Sequence, residues 1–122
     1  MQSYKDLEIY QLAHRGAVEV HELTLRQLPA FEQWEEARQI RRSSKSVAAA
    51  IVEGFGRKHY QQEYVRYLTY ALASCDETKE HLELLFDTGS LTSQAVFRRL
   101  LAHYDCLGRK LHQFRAAVRR NL

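Results

Sequence analysis

The chain has 122 residues, of which 45% are hydrophobic and 27% charged, with a formal net charge of +3. That length supports one domain with a real core, spanning residues 1–122, and is too short for two. The composition is that of a folded chain, not a disordered one, and one proline with five glycines leaves too little turn chemistry for an all-β fold.

Residues 1–10 carry Lys5, Asp6 and Glu8 and contain no apolar leader segment. The longest unbroken apolar run, Val47 to Val52, is far short of a membrane span. Both features predict a cytoplasmic protein with no membrane partner. Cys75 and Cys106 fall within apolar helical patterns and read as small buried thiols.

Four helices follow in chain order. The first is expected over Tyr4 to Leu28, with Ser3 as N-cap, Asp6 as its capping-box partner and Pro29 as the stop. Its apolar face includes Leu7, Ile9, Tyr10, Ala13, Ala17, Val20 and Leu23. The second is expected to begin near Glu32, where Glu32, Glu35 and Glu36 suit the positive end of the helix dipole, and to end before Gly54 or Gly56. The third covers Tyr60 to Asp87, with Tyr64, Leu68, Ala71, Cys75, Thr78, Leu82 and Leu85 in steps of four and three, and stops at Gly89. The fourth starts after Thr92 and repeats the spacing in Phe97, Leu100, Tyr104, Leu107, Leu111, Phe114 and Val118. Two heptad seams joined by short loops predict an all-α, antiparallel up-down-up-down four-helix bundle. Gly16 and Gly108 interrupt the first and fourth helices, each at a cost of about 1 kcal/mol. Close approach of those two neighbouring helices would account for them, as would tolerance of glycine at a helix surface.

Catalytic and metal signatures are weak. No histidine has Glu three residues before it, no His-Glu-x-x-His occurs and no Cys/His set has zinc spacing, so no metal or cofactor is expected. His14 and His21 share a face of the first helix and read as core or interface residues. Gly54-Phe55-Gly56-Arg57 follows a helix instead of a strand and lacks the ending of a phosphate loop, so it reads as helix termination around a packed Phe55. Arg98 to His103 and Arg15 to His21 match the spacing of a helical ribonuclease, but thirteen Arg and six His supply such pairs by chance.

The charge distribution says more. Residues 92–122 hold seven Lys or Arg and one acid, net +6, whereas residues 58–88 hold three bases and six acids, net −3. Arg98, Arg99, Arg109, Lys110, Arg115, Arg119 and Arg120 therefore form a candidate phosphate-binding face on one helix, with Arg57 and Lys58 as a second contact. Arg41 and Arg42 read equally as nucleic-acid contacts or as partners of Glu53 and the acids of the third helix across a subunit contact. Ile9, Trp34 and Phe55 are expected to be exposed unless the protein assembles.

Leu7 to Ala13, Gln39-Ile40-Arg41-Arg42, Ile51-Val52-Glu53-Gly54-Phe55-Gly56-Arg57 and Tyr64 to Leu85, taken in that order, resemble the bacterial four-helix bundle proteins encoded within intervening sequences of 23S ribosomal RNA genes. The resemblance implies a non-enzymatic bundle that assembles as a homopentameric ring. In a related branch, the accessory proteins of diversity-generating retroelements, it also implies nucleic-acid binding and association with a reverse transcriptase. It assigns no catalytic residue. From the residues themselves, Arg41, Arg42, Glu53, Gly54, Phe55 and Gly56 are expected to serve assembly or structure. Where the family commonly has Pro and Asn this chain has Ala48 and Ala50, which predicts a straighter second helix. Lys58-His59 replaces the usual Ser cap after Gly-Arg. Two other readings stay open: a protein-docking scaffold without nucleic-acid affinity, and a metal-independent ribonuclease.

Overall fold

The computed structural model describes residues 2–121. Its helices are α1 (Glu8–Arg26), α2 (Glu36–Phe55), α3 (Gln61–Asp87) and α4 (Gln94–Arg120), with short 3-10 turns at Tyr4–Asp6 and Ala30–Trp34. No strand occurs among the described residues. Each helix packs on the next in sequence, and α4 closes on α1, forming a four-helix bundle.

The heptad positions of α3 are all buried, as are Leu100, Tyr104, Leu107 and Leu111 of α4, while Phe97, Phe114 and Val118 pack around their edge. Ile40, Val47 and Ile51 of α2 and Ala13, Val20 and Leu23 of α1 complete the core. Aromatic contacts between α3 and α4 lie at both ends of that seam: Phe86 stacks on Phe97 at 4.2 Å, and Tyr64 meets Phe114 edge-on at 5.9 Å.

The expected first helix is split. Ser3 and Asp6 do form a capping box, with Ser3 Oγ accepting from Lys5 N and Ser3 N donating to the Asp6 carboxylate. It caps only the Tyr4–Asp6 turn, because Leu7 adopts an extended conformation and drops into the core. Ile9, expected at the surface, is 3% exposed for the same reason.

The second helix also starts later than expected. Ala30–Trp34 forms a 3-10 turn, and Glu32 within it is 4% exposed, accepting a hydrogen bond from the Ser90 hydroxyl. The carboxylate thus joins this corner to the α3–α4 loop instead of facing solvent at a helix end. Arg41 secures the same corner, donating from Nη1 to Thr24 Oγ1 at 2.9 Å and to Gln33 Oε1 at 3.1 Å. Beyond it, α2 runs unbroken through Ala48 and Ala50.

Gly54 does not end α2. It lies buried inside the last turn, where an added Cβ would come within 3.1 Å of Tyr67 Cβ and 3.2 Å of Tyr64 Cδ1. Its lack of a side chain lets α3 press against α2. Gly89, with φ +83°, is the left-handed residue that stops α3. Gly16 provides the α1–α4 approach, since its Cβ would lie 2.6 Å from Tyr104 Oη. Gly108 does not; it faces Cys75 Sγ of α3 at 3.8 Å.

Candidate nucleic-acid interface

The basic residues of α4 fall into three settings. Arg99 and Lys110 turn toward α1, with Arg99 Nη1 2.8 Å from Glu19 and Lys110 Nζ 3.1 Å from Glu8. Both pairs are separated by eleven residues along their helices, close to three turns, so they form two rungs between antiparallel partners. Arg115 reaches α3, where Nη1 donates to Thr69 Oγ1 at 3.0 Å. Arg98, Arg109, Arg119 and Arg120 are exposed and take part in no ion pair among the described residues.

Arg98, Arg109 and Arg120 recur at the same eleven-residue step and so lie along one face of α4, over about 33 Å at 1.5 Å per residue. Asp105, the sole acid of α4, lies beside this line, but Lys79 of α3 holds it at 3.3 Å. The ion pairs of α4 therefore run to both neighbours. Acids of α1 neutralise two α4 cations, and a lysine of α3 neutralises the acid of α4.

Arg57 and Lys58 sit at the opposite end of the bundle from Arg98. Arg57 Nη1 donates to the Glu53 carbonyl at 3.0 Å, meeting one of the free carbonyls that every helix C-terminus leaves, and its guanidinium lies 4.5 Å over the Tyr67 ring. Lys58 Nζ lies 4.1 Å over Phe55, which is itself half-buried against the core. These two cations are thus engaged with the end of α2. Gly56 is exposed and caps that helix with backbone φ −62°. Glu53 is exposed and its carboxylate is in no ion pair among the described residues.

Arg41 and Arg42 separate completely. Arg41 is internal to the chain but bonds to neutral oxygens of Thr24 and Gln33, not to Glu53 or an acid of α3. Arg42 is exposed and lies 3.6 Å from Glu77 of α3 within the same subunit. Glu77 in turn contacts His81 Nε2 at 3.2 Å, and Glu36 contacts His81 Nδ1 at 2.6 Å, so this cluster ties α2 to α3.

His14 and His21 are not core residues. With Glu22 and Lys45 they line an open groove between α1 and α2, whose apolar lining comes from Ala17, Val18 and Ala48 and whose volume is about 280 Å³. The sequence reading missed this groove because its two walls are 31 residues apart at Lys45 and His14. Their small residues could only be read as a place where helices approach. His103 is half-buried and its Nε2 lies 2.7 Å from the Leu12 carbonyl, a link that closes α4 on α1.

Cys75 is buried and donates to the Tyr104 carbonyl, and burial pushes its thiol up to about 12. Cys106 is only half-buried. No disulfide joins them. Among the described residues no group of three or more His, Cys, Asp or Glu side chains could hold a metal ion, and no helix is long and apolar enough to cross a membrane.

Among curated proteins, none matches this chain. A solved structure of a protein with unknown function from the S23 ribosomal protein family of Bacteroides thetaiotaomicron VPI-5482 has the same fold, with a TM-score of 0.81. It is 20% identical, and the alignment covers 88% of this chain and 95% of that one. The family model of the 23S rRNA-intervening sequence proteins matches residues 5–113, nearly the whole bundle, and the chain belongs to that family.

Proposed function

We propose that this protein is a non-enzymatic, up-down-up-down bundle that self-assembles, as a pentameric ring, and binds structured RNA or DNA through α4. The observation that carries this reading is the line of Arg98, Arg109 and Arg120, with Arg119 beside it, exposed and without ion-pair partners. The only acid nearby on α4 is held by Lys79. Guanidinium groups spaced along a rigid helix engage phosphates without regard to sequence. In this reading Arg99 and Lys110 hold the helix in place, Arg115 flanks the contact, and Arg57 and Lys58 serve the end of α2. The protein acts in the cytoplasm, and an associated nucleic-acid-processing enzyme, such as a reverse transcriptase, would supply any chemistry.

Fluorescence anisotropy of a labelled RNA hairpin, titrated at several salt concentrations, tests the reading. Four phosphate contacts predict that log K falls by about 3 for each tenfold rise in salt. Combined reversal of Arg98, Arg109 and Arg120 to Glu should abolish binding and leave the sedimentation behaviour unchanged. Binding that survives the reversal would overturn the assignment of α4.

A second reading, a scaffold that docks a protein, is favoured by the apolar corner between α1 and α2. There Leu25, Phe31 and Trp34 are 60%, 63% and 78% exposed. Absence of RNA binding at low salt would favour it.

A further inference from the structure

The groove between α1 and α2 combines features that the α4 face lacks. Its walls are short apolar side chains, Ala17, Val18 and Ala48, and its polar lining is Lys45, two imidazoles and one carboxylate. That carboxylate, Glu22, is engaged by Arg26, whose Nε lies 2.6 Å away and holds the Glu22 carboxyl below its ordinary range through hydrogen bonding and charge. Lys45 has no carboxylate partner among the described residues. The groove therefore offers unneutralised positive charge beside an apolar floor. His14 is oriented by Tyr10, with the phenol oxygen 3.4 Å from Nδ1 and the rings 5.7 Å apart and tilted by 36°.

Size and position narrow the ligand. A volume of about 280 Å³ is at the lower limit of ligand clefts, room for one ring system with its substituents and not for a helix. Val18 and Glu22 also line the cleft on the other side of α1, which Arg99 of α4 borders. The groove is thus separated from α4 by the single helix α1. Stacked, paired bases cannot enter it, whereas an unpaired one can.

We infer that this groove takes a single unpaired nucleotide of the RNA or DNA bound on α4. The base lies on Ala17, Val18 and Ala48 against the rings of His14 and His21, and the phosphate meets Lys45. The inference rests on the nucleic-acid reading above and adds to it a preference for bulged or looped strands over perfect duplex. Aromatic and imidazole faces stack on any base, so the preference is for the unpaired state and not for sequence.

The test compares two labelled RNA stems, identical except for one bulged nucleotide, with the full-length protein at fixed salt. The bulged stem should bind about tenfold more tightly, the size expected of one stacked base. Ala48→Phe fills the groove without changing charge, and His21→Ala removes a ring from the half-exposed surface. Each should erase the difference and leave affinity for the paired stem unchanged. If Ala48→Phe fails to fold, His21→Ala decides. Equal affinity of the wild type for both stems, or a preference that survives His21→Ala, overturns this inference alone. Failure to bind either stem overturns the α4 reading with it. Altered self-association of a folded Ala48→Phe, with the bulge preference intact, assigns the groove to a protein contact and overturns it too.

Discussion

Replacing Gly16 with alanine sets two opposed effects of known size against each other. In mid-helix the substitution should stabilise α1 by about 1 kcal/mol through propensity alone. Against this, the new Cβ would lie 2.6 Å from Tyr104 Oη, 2.9 Å from Tyr104 Cζ and 3.1 Å from His103 Nε2. Tyr104 is fully buried, so its ring has no free space to turn into, and His103 is held by the Leu12 carbonyl. Overpacking of this kind costs about 1–3 kcal/mol, and contact with ring carbon as well as hydroxyl puts this site in the upper half of that range. The net expectation is a loss of about 1–2 kcal/mol, propensity offsetting part of the clash. Tyr104→Phe provides the control. The Tyr104 hydroxyl has no hydrogen-bond partner among the described residues, and burial raises its pKa, so it stays a neutral, unpaired phenol. Removing the hydroxyl should therefore cost little, and in the Gly16→Ala background it should recover part of the loss. Urea unfolding followed by far-UV circular dichroism, at one fixed protein concentration, measures the wild type, the two single variants and the double variant. A Gly16→Ala protein as stable as the wild type, or more so, would refute the close-approach account of this glycine.

Ser90→Ala removes the hydroxyl that donates to the buried Glu32 carboxylate, and a loss of about 1–3 kcal/mol in the same assay is expected. Trp34→Ala should leave subunit stability within about 0.5 kcal/mol, because the ring is 78% exposed, while weakening self-association seen by sedimentation. Cys75 should resist thiol reagents in the folded protein while Cys106 reacts, with both reacting in denaturant; equal native rates would contradict their placement. The Cys75 thiol, raised by burial from 9.0 to about 12, binds its proton more tightly when folded. Its contribution is fully present below about pH 9 and declines as pH rises toward about 12, by about 1.4 kcal/mol per pH unit. Cys75→Ala should therefore flatten the alkaline loss of stability between about pH 9 and pH 10.5, and an unchanged slope would exclude that origin.

Helix number, the seams of α3 and α4, the Ser3 capping box, the stop at Gly89 and the family were legible in the chain. The structural features are written in local periodicity or in residues a few positions apart, and the family in a resemblance carried by four segments in order. The core of α3 follows from steps of four and three because helical geometry puts those side chains on one stripe. The candidate basic helix was legible for the same reason, as a local excess of Arg over acid. What each cation does was not. Arg98, Arg109 and Arg120 differ from Arg99 and Lys110 only in which way α4 is turned against α1, and Glu8 and Glu19 are far away in sequence. Likewise Arg41 and Arg42 are adjacent, yet one fastens an internal corner and the other lies at the surface beside Glu77. Gly16 and Gly108 carried the same helical penalty, but only packing shows that one faces Tyr104 and the other Cys75. Propensity and period act over a few residues and so can be read along the chain. Pairing, burial and the α1–α2 groove depend on the rotation of each helix about its axis, which the core as a whole decides.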